Sequence, residues 1–239
     1  MSTASNPYPW SRRIAIVTIV AALAVLLAGP LINFGVVGWQ AGLLTFVVGA
    51  AVSGVGGILS LVALLRRRGK ILSLVASAAG LAGIIVPVAI VVGASGVPPI
   101  HDITTDTANP PAFVAITPTL RGPNTNPVTY DPAIAGQQKA GYPDLAPLLL
   151  PEAPEAVFPR AEAAARAMGW EIVAVDAAAG RIEATDTVPW WGFKDDVVIR
   201  LTAEGTGTRV DVRSKSRVGQ GDLGVNAKRI SDYLARLRG

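Results

Sequence analysis

The sequence predicts an α+β membrane protein. Three N-terminal transmembrane helices precede a soluble two-layer sandwich of helix, four antiparallel strands and helix, and a proline-rich extended arm joins the two. Three observations predict it. No charged residue lies between Arg13 and Arg66 or between Lys70 and His101, runs too long for helices of a soluble core. Prolines then crowd residues 97–152. Finally, alternating apolar runs stand between two amphipathic helical patterns in residues 153–239.

The composition agrees. The 239 residues carry a net charge of +4, with 51% hydrophobic and only 16% charged. The mean hydropathy is +0.45. This is too apolar for a disordered chain and too sparsely charged for an ordinary soluble domain. Zero cysteines exclude a disulfide framework, thiolate metal sites and cysteine nucleophiles, and a single histidine excludes multi-histidine centres. Neither a metal nor a cofactor is therefore expected.

After a short cytoplasmic tail, residues 1–13, the transmembrane domain occupies 14–96. Its helices are expected at about 14–34, 42–65 and 71–94, each near the ~20 residues that cross the hydrocarbon layer. The first two are divided by FGVVGWQ, a polar-aromatic break suited to a membrane interface. Pro30 and Pro87 fall late in the first and third spans, where neighbouring helices can satisfy the freed carbonyls. No A-x-A-like cleavage site closes the first run, so it is read as a retained helix.

Arg12, Arg13, Arg66, Arg67, Arg68 and Lys70 flank one end of the spans, and the first loop carries no cation. By the positive-inside rule the N-terminus and second loop are cytoplasmic, which places the C-terminal domain on the outer side of a bacterial cytoplasmic (inner) membrane. The other 15 cations accompany all 17 acids from Asp102 onward, so the soluble part is slightly acidic and no nucleic-acid partner is expected. Gly49, Ser53 and Gly57, and Ala76 and Gly80, recur every four residues. Small residues at that spacing let helices of one chain pack closely, or let two copies form a homo-oligomer. No ionisable side chain lies inside a span, which argues for an anchor rather than an ion pathway.

Pro118, Pro123, Pro127, Pro132, Pro143, Pro147 and Pro151 forbid long helices in the arm. Ile103, Phe113, Ile116 and Leu148–Leu150 are apolar anchors that favour an arm lying on the domain over a free spacer. In the core, Val157, Phe158, Ala161, Ala164, Ala165 and Met168 share a helical face closed by Gly169. WEIVAVD and RIEATDTV form a hairpin, and the next two runs turn Val197, Ile199, Leu201, Val210 and Val212 inward. Leu223, Ala227, Ile230, Leu234 and Leu237 stripe the last helix, with Asp222 as its N-cap.

Gly219-Gln220-Gly221-Asp222-Leu223-Gly224 has the dinucleotide-binding spacing. It lacks the second parallel strand and downstream acid of that site, so it is read as a tight strand-to-helix turn. Opposite Val210 and Val212, period two presents Arg209, Asp211, Arg213, Lys215 and Arg217. This row either binds a phosphate or carboxylate beside the helix N-terminus or pairs with Glu183, Asp195 and Asp196 on a solvated face. Asp195 and Asp196 point to opposite faces and make no carboxylate dyad. His101 marks the exit from the membrane, and a pairing with Ser214 or Ser216 would require it to fold back from that boundary. Trp190, Trp191 and Phe193 form an aromatic corner suited to packing.

IHDITTD, YPDLAPL, GWEIVAVD, GRIEATDTVPWWGFKDDVVIR and VDVRSKSRVGQGDLGVNAKRI, in that order, resemble the domain of unknown function 1499 family from about Ile100 to Leu237. The resemblance implies that the arm belongs to the domain. It also weights Asp196, Arg200, Arg213, Ser214, Ser216, Arg217, Asp222, Asn226 and Arg229, for structure or for binding, and it carries over no catalytic residue.

The expected function is a non-enzymatic, membrane-anchored extracytoplasmic module for a small anionic or amphipathic, lipid-like ligand or a partner protein. Its candidate ligand-binding residues are Arg213, Arg217, Arg200, Asp196, Asn226, Arg229 and Trp191. The alternatives are a hydrolase-like envelope enzyme using acids and arginines of the strand-to-helix corner, and a structural subunit of a membrane complex.

Overall fold

The computed structural model describes residues 9–239; the tail residues 1–8 lie outside the described residues. The described residues divide into two compact units, residues 9–95 with 189–192, and the remainder.

In the first unit, α1 (Pro9–Asn33), α2 (Trp39–Leu65) and α3 (Lys70–Gly93) are each long and apolar enough to cross a membrane. They meet through small residues. A Cβ at Gly80 would lie 2.5 Å from Gly57 Cα, and one at Gly83 would lie 2.5 Å from Ser53 Oγ. A Cβ at Gly49 would press on Val25 of α1 at 2.9 Å. The faces considered for a homo-oligomer are thus engaged within one chain. Three of the buried hydroxyls bond to their own helix: Thr18 Oγ1 donates to Ile14 O, Ser53 Oγ to Ala50 O and Ser77 Oγ to Ser73 O. Such back-bonding leaves the helix contacts apolar, as hydrocarbon requires. Residues 189–192 also belong to this unit. Trp190 and Trp191 meet Phe46 edge-on, with ring centroids 5.9 and 5.1 Å away, and Asn33 Nδ2 donates to Pro189 O.

The second unit opens with β1 (Asp102–Thr104), two short helices, α4 (Pro118–Arg121) and α5 (Ala135–Gly141), and β2 (Leu148–Leu150). Then follow α6 (Pro154–Ala167), β3 (Glu171–Asp176), β4 (Arg181–Thr187), β5 (Lys194–Glu204), β6 (Gly207–Ser216) and α7 (Val225–Arg238). The last six elements are the sandwich expected from the alternating runs. The sheet is wider than the four predicted strands, because β1 and β2 both pair antiparallel with the outer side of β6, giving the order β1-β6-β5-β4-β3 with β2 beside β1's partner. Three-residue strands among prolines show no alternation, so the sequence pattern did not mark them.

One face of the sheet follows the expected parity. Val197, Ile199, Leu201, Val210 and Val212 are buried against Val157, Ala161 and Ala165 of α6 and Ile230, Tyr233 and Leu237 of α7. Gly169, at φ 82°, ends α6 in the left-handed region that glycine tolerates best. Two expectations for α7 need correction. It begins at Val225 after Gly224, so Asp222 lies two residues before the cap position. Leu223, at φ 56°, is exposed and stands outside the apolar stripe, whose missing member is the fully buried Tyr233. Asp222 still closes the helix start, accepting from the backbone N–H of Gly224 and Asn226 at 2.9 and 2.8 Å.

The opposite face is read from the sequence either as an anion-binding row or as a solvated, ion-paired face. It is covered instead by the arm: Glu183, Asp196, Val198, Asp211, Arg213 and Lys215 are all buried beneath it.

Candidate functional site

The charged residues weighted by the sequence collect around the C-terminal half of β6, divided by the sheet into two groups. Strand alternation causes the division. Asp196, Arg213, Lys215 and Arg217 face the arm, while Asp195, Ser214 and Ser216 face α7.

On the arm side, register sets Asp102 opposite Lys215 and Thr104 opposite Arg213. Arg213 forms a two-pronged pair with Asp102, Nε to Oδ1 and Nη2 to Oδ2, both 2.8 Å. Lys215 Nζ reaches the same carboxylate at 2.9 Å. The Arg213 guanidinium also lies between the rings of Phe113 and Tyr130, 5.0 and 5.4 Å from their centroids. A second carboxylate, Asp196, holds Arg217 at 2.8 Å and Arg121 at 2.8 Å and accepts from Thr185 Oγ1. Two carboxylates therefore face four cations. The remaining donors go to backbone carbonyls: Arg213 to Pro111 and Val128, Lys215 to Thr129, Arg121 to Asn126 and Ser216. Burial lowers the proton affinity of both Lys215 and Arg121 against the pull of Asp102 and Asp196.

The same face grips the arm through its N–H groups. Glu183, on β4, accepts from the backbone of Val114, Ala115 and Ile116 at 2.8–3.0 Å. Asp211 accepts from Arg200, Arg209 and Thr105. Arg200 also donates to Asn109 O.

On the helix side, Arg229 bridges Asp186 and Asp195, each at 2.7 Å, and donates to Ser214 Oγ and Asn226 Oδ1. Asn226 Nδ2 donates to His101 O and Ser216 Oγ. Neither serine has the partner of a nucleophile: Ser214 donates to Asn226 Oδ1, and His101 Nδ1 lies 3.1 Å from Gln220 O. Among the described residues no group of three His, Asp or Glu side chains is placed to hold a metal.

Six of the candidate ligand-binding residues are thus brought to one region, Asp196, Arg200, Arg213 and Arg217 on the arm side and Asn226 and Arg229 on the helix side. Trp191 belongs to the helical unit. Sequence reasoning missed Arg121, a lone cation in TPTLRGPN with no periodic neighbour, and Glu183 as a clamp for three N–H groups. Asp102 stood in a quoted motif, but its pairing across 111 residues has no local signal.

What this arrangement does chemically is bind extended backbone. Cations answer the carbonyls, a carboxylate answers the N–H groups, and low dielectric strengthens each charge-assisted bond. The comparison with curated proteins gave no match. Residues 102–237, more than half of the chain, match the family model described as "Protein of unknown function (DUF1499)", and the chain belongs to that family.

Proposed function

We propose that the chain is a non-enzymatic, membrane-anchored module whose globular domain lies outside the cytoplasm and binds a partner protein or an amphipathic molecule at its surface. The observation that carries this reading is the fate of the polar corner. Its arginines and acids turn inward and pair with one another or with the arm, in contrast to the solvent-reachable nucleophile and base of a hydrolase. A small anion at Arg213 and Arg217 has to displace Asp102 and Asp196, the carboxylates already seated on them.

Orientation is supported by the basic end of the helices. Arg68 lies over the Trp10 ring at 5.6 Å, so the start of α1 and the α2–α3 loop share one end, and all six membrane-domain cations belong to these segments. A reporter active only outside the cytoplasm, fused after Gly239, is expected to be active, and crosslinking of the full-length protein in its membrane is expected to trap a discrete adduct. A silent reporter overturns the topology, and a ladder-free, adduct-free chain overturns the binding role.

A small anionic ligand is the second reading, favoured by one specific observation: four cations face two carboxylates beneath the arm. Native mass spectrometry of the gently purified full-length protein checks it. A retained anion lost from Lys215→Met supports this reading over the first.

A further inference from the structure

A groove of about 480 Å³ runs along the outside of the α1–α2 contact. Its floor is Thr18 and Gly56, both buried, where the helices touch so closely that a Cβ at Gly56 would collide with the Thr18 hydroxyl. Val17 on α1 and Val52 and Val55 on α2 form the walls, and Ala51 leaves the inner end open. The floor is apolar in effect, because the Thr18 hydroxyl already donates to Ile14 O. From Ala51 to Leu59 the groove follows nine residues of α2, about 12 Å along the axis. Its mouth is Arg13, exposed and in the first turns of α1.

The charge at that mouth is unbalanced. Arg12, Arg13, Arg66, Arg67, Arg68 and Lys70 gather at one end of the helical unit, and the sequence contains no Asp or Glu before Asp102. No carboxylate of this unit can therefore neutralise them. An apolar channel at acyl-chain depth, opening beneath a cation at interfacial height, has the two-part chemistry of a phospholipid. Net positive charge selects an anionic head group over a zwitterionic one.

We propose that this groove seats one acyl chain of an anionic phospholipid, with the lipid phosphate on Arg13. The site lies wholly in the helical unit and is independent of what the globular domain binds. One basic residue in contact with the head group favours an anionic lipid about fivefold.

The test uses the full-length protein in detergent, stripped of lipid and titrated with dioleoyl phosphatidylglycerol or dioleoyl phosphatidylcholine, with bound lipids counted by native mass spectrometry. The wild type is expected to retain one phosphatidylglycerol per chain about fivefold more tightly than phosphatidylcholine. Arg13→Gln is expected to remove that preference. Ala51→Phe, which fills the inner end and keeps all six cations, is expected to weaken both lipids. Val92→Phe on the exposed face of α3 controls for added bulk and is expected to behave as wild type. Equal retention of the two lipids by the wild type overturns the proposal. So does a phosphatidylglycerol preference that survives Arg13→Gln unchanged, which locates the charge effect elsewhere on the basic end, or a retention of both lipids that Ala51→Phe leaves unchanged, which locates the acyl chain elsewhere.

Discussion

Asp102 and Arg213 meet as a fork pair, both contacts 2.8 Å, with the carboxylate on the first strand of the domain and the guanidinium on the last. Both side chains are almost fully buried. Each ion has lost its water, so the pair is stable only while both members are present. Arg213→Ala leaves Asp102 with Lys215 alone and empties the space between Phe113 and Tyr130. It is expected to cost about 3–5 kcal/mol. Arg213→Lys keeps the charge and loses the fork and the ring contacts, and is expected to cost less, about 1.5–3 kcal/mol. Chemical unfolding of the full-length protein checks the ranking; equal stability of the wild type and Arg213→Lys contradicts it.

Glu183 is the other hold on the arm. Its carboxylate accepts from three successive N–H groups and pairs with Arg181 at 3.2 Å, all from a position with no solvent exposure. Glu183→Gln replaces one acceptor oxygen by a donor pointed at backbone N–H. Amide exchange at Val114, Ala115 and Ile116 is expected to quicken by at least an order of magnitude, as hydrogen bonds to a charged group are worth about 1.5–3 kcal/mol. Exchange at Val210 and Val212 is expected to change far less. Uniform quickening across the sheet contradicts a local role for Glu183.

How much of this was legible in the sequence depends on whether the signal was local. Val197, Ile199, Leu201, Val210 and Val212 repeat at period two, and the structure turns all five to the helices. The charge-free runs likewise marked the three long apolar helices. The row Arg209 to Arg217 was legible as a face but not as a buried one, since what covers it is a segment about a hundred residues earlier with no period of its own. Leu223 fitted the helical stripe by spacing alone, yet the chain takes a left-handed turn there to reach Gly224. The loop 189–192, with Trp191 and a turn at Gly192, φ 69°, belongs to the helical unit, a membership that no periodic pattern marks.

The α2–α3 contact depends on side chains that are absent. Gly57 and Gly80 bring two backbones together where a Cβ at Gly80 meets both Gly57 Cα and Ser53 O at 2.5 Å. Those neighbours are backbone and cannot rotate away, so Gly80→Val is an overpacking change expected to cost about 1–3 kcal/mol or to part the helices. Ile85→Val, on an exposed position of the same helix, is expected to be near neutral. Thermal denaturation of the detergent-solubilised full-length protein separates the two. Identical midpoints for Gly80→Val and wild type contradict the close packing.

Asp222 gives the domain a pH dependence of unusual sign. Burial pushes its carboxyl above the ordinary carboxylate range, and the N–H bonds from Gly224 and Asn226 pull it back only in part. Because the folded value is raised, the protonated form favours the fold. Its contribution is present below the ordinary carboxylate range and is lost as pH rises through the raised value. Asp222→Asn keeps an acceptor for the start of α7 and cannot ionise. At about pH 4 the variant is expected to be less stable than wild type by about 1 kcal/mol, the worth of part of a helix cap. As pH rises toward neutrality the buried charge burdens only the wild type, and the gap is expected to narrow or reverse. Unfolding midpoints of both proteins measured across that range decide it, and a gap that widens with pH shows that the N–H bonds outweigh the burial.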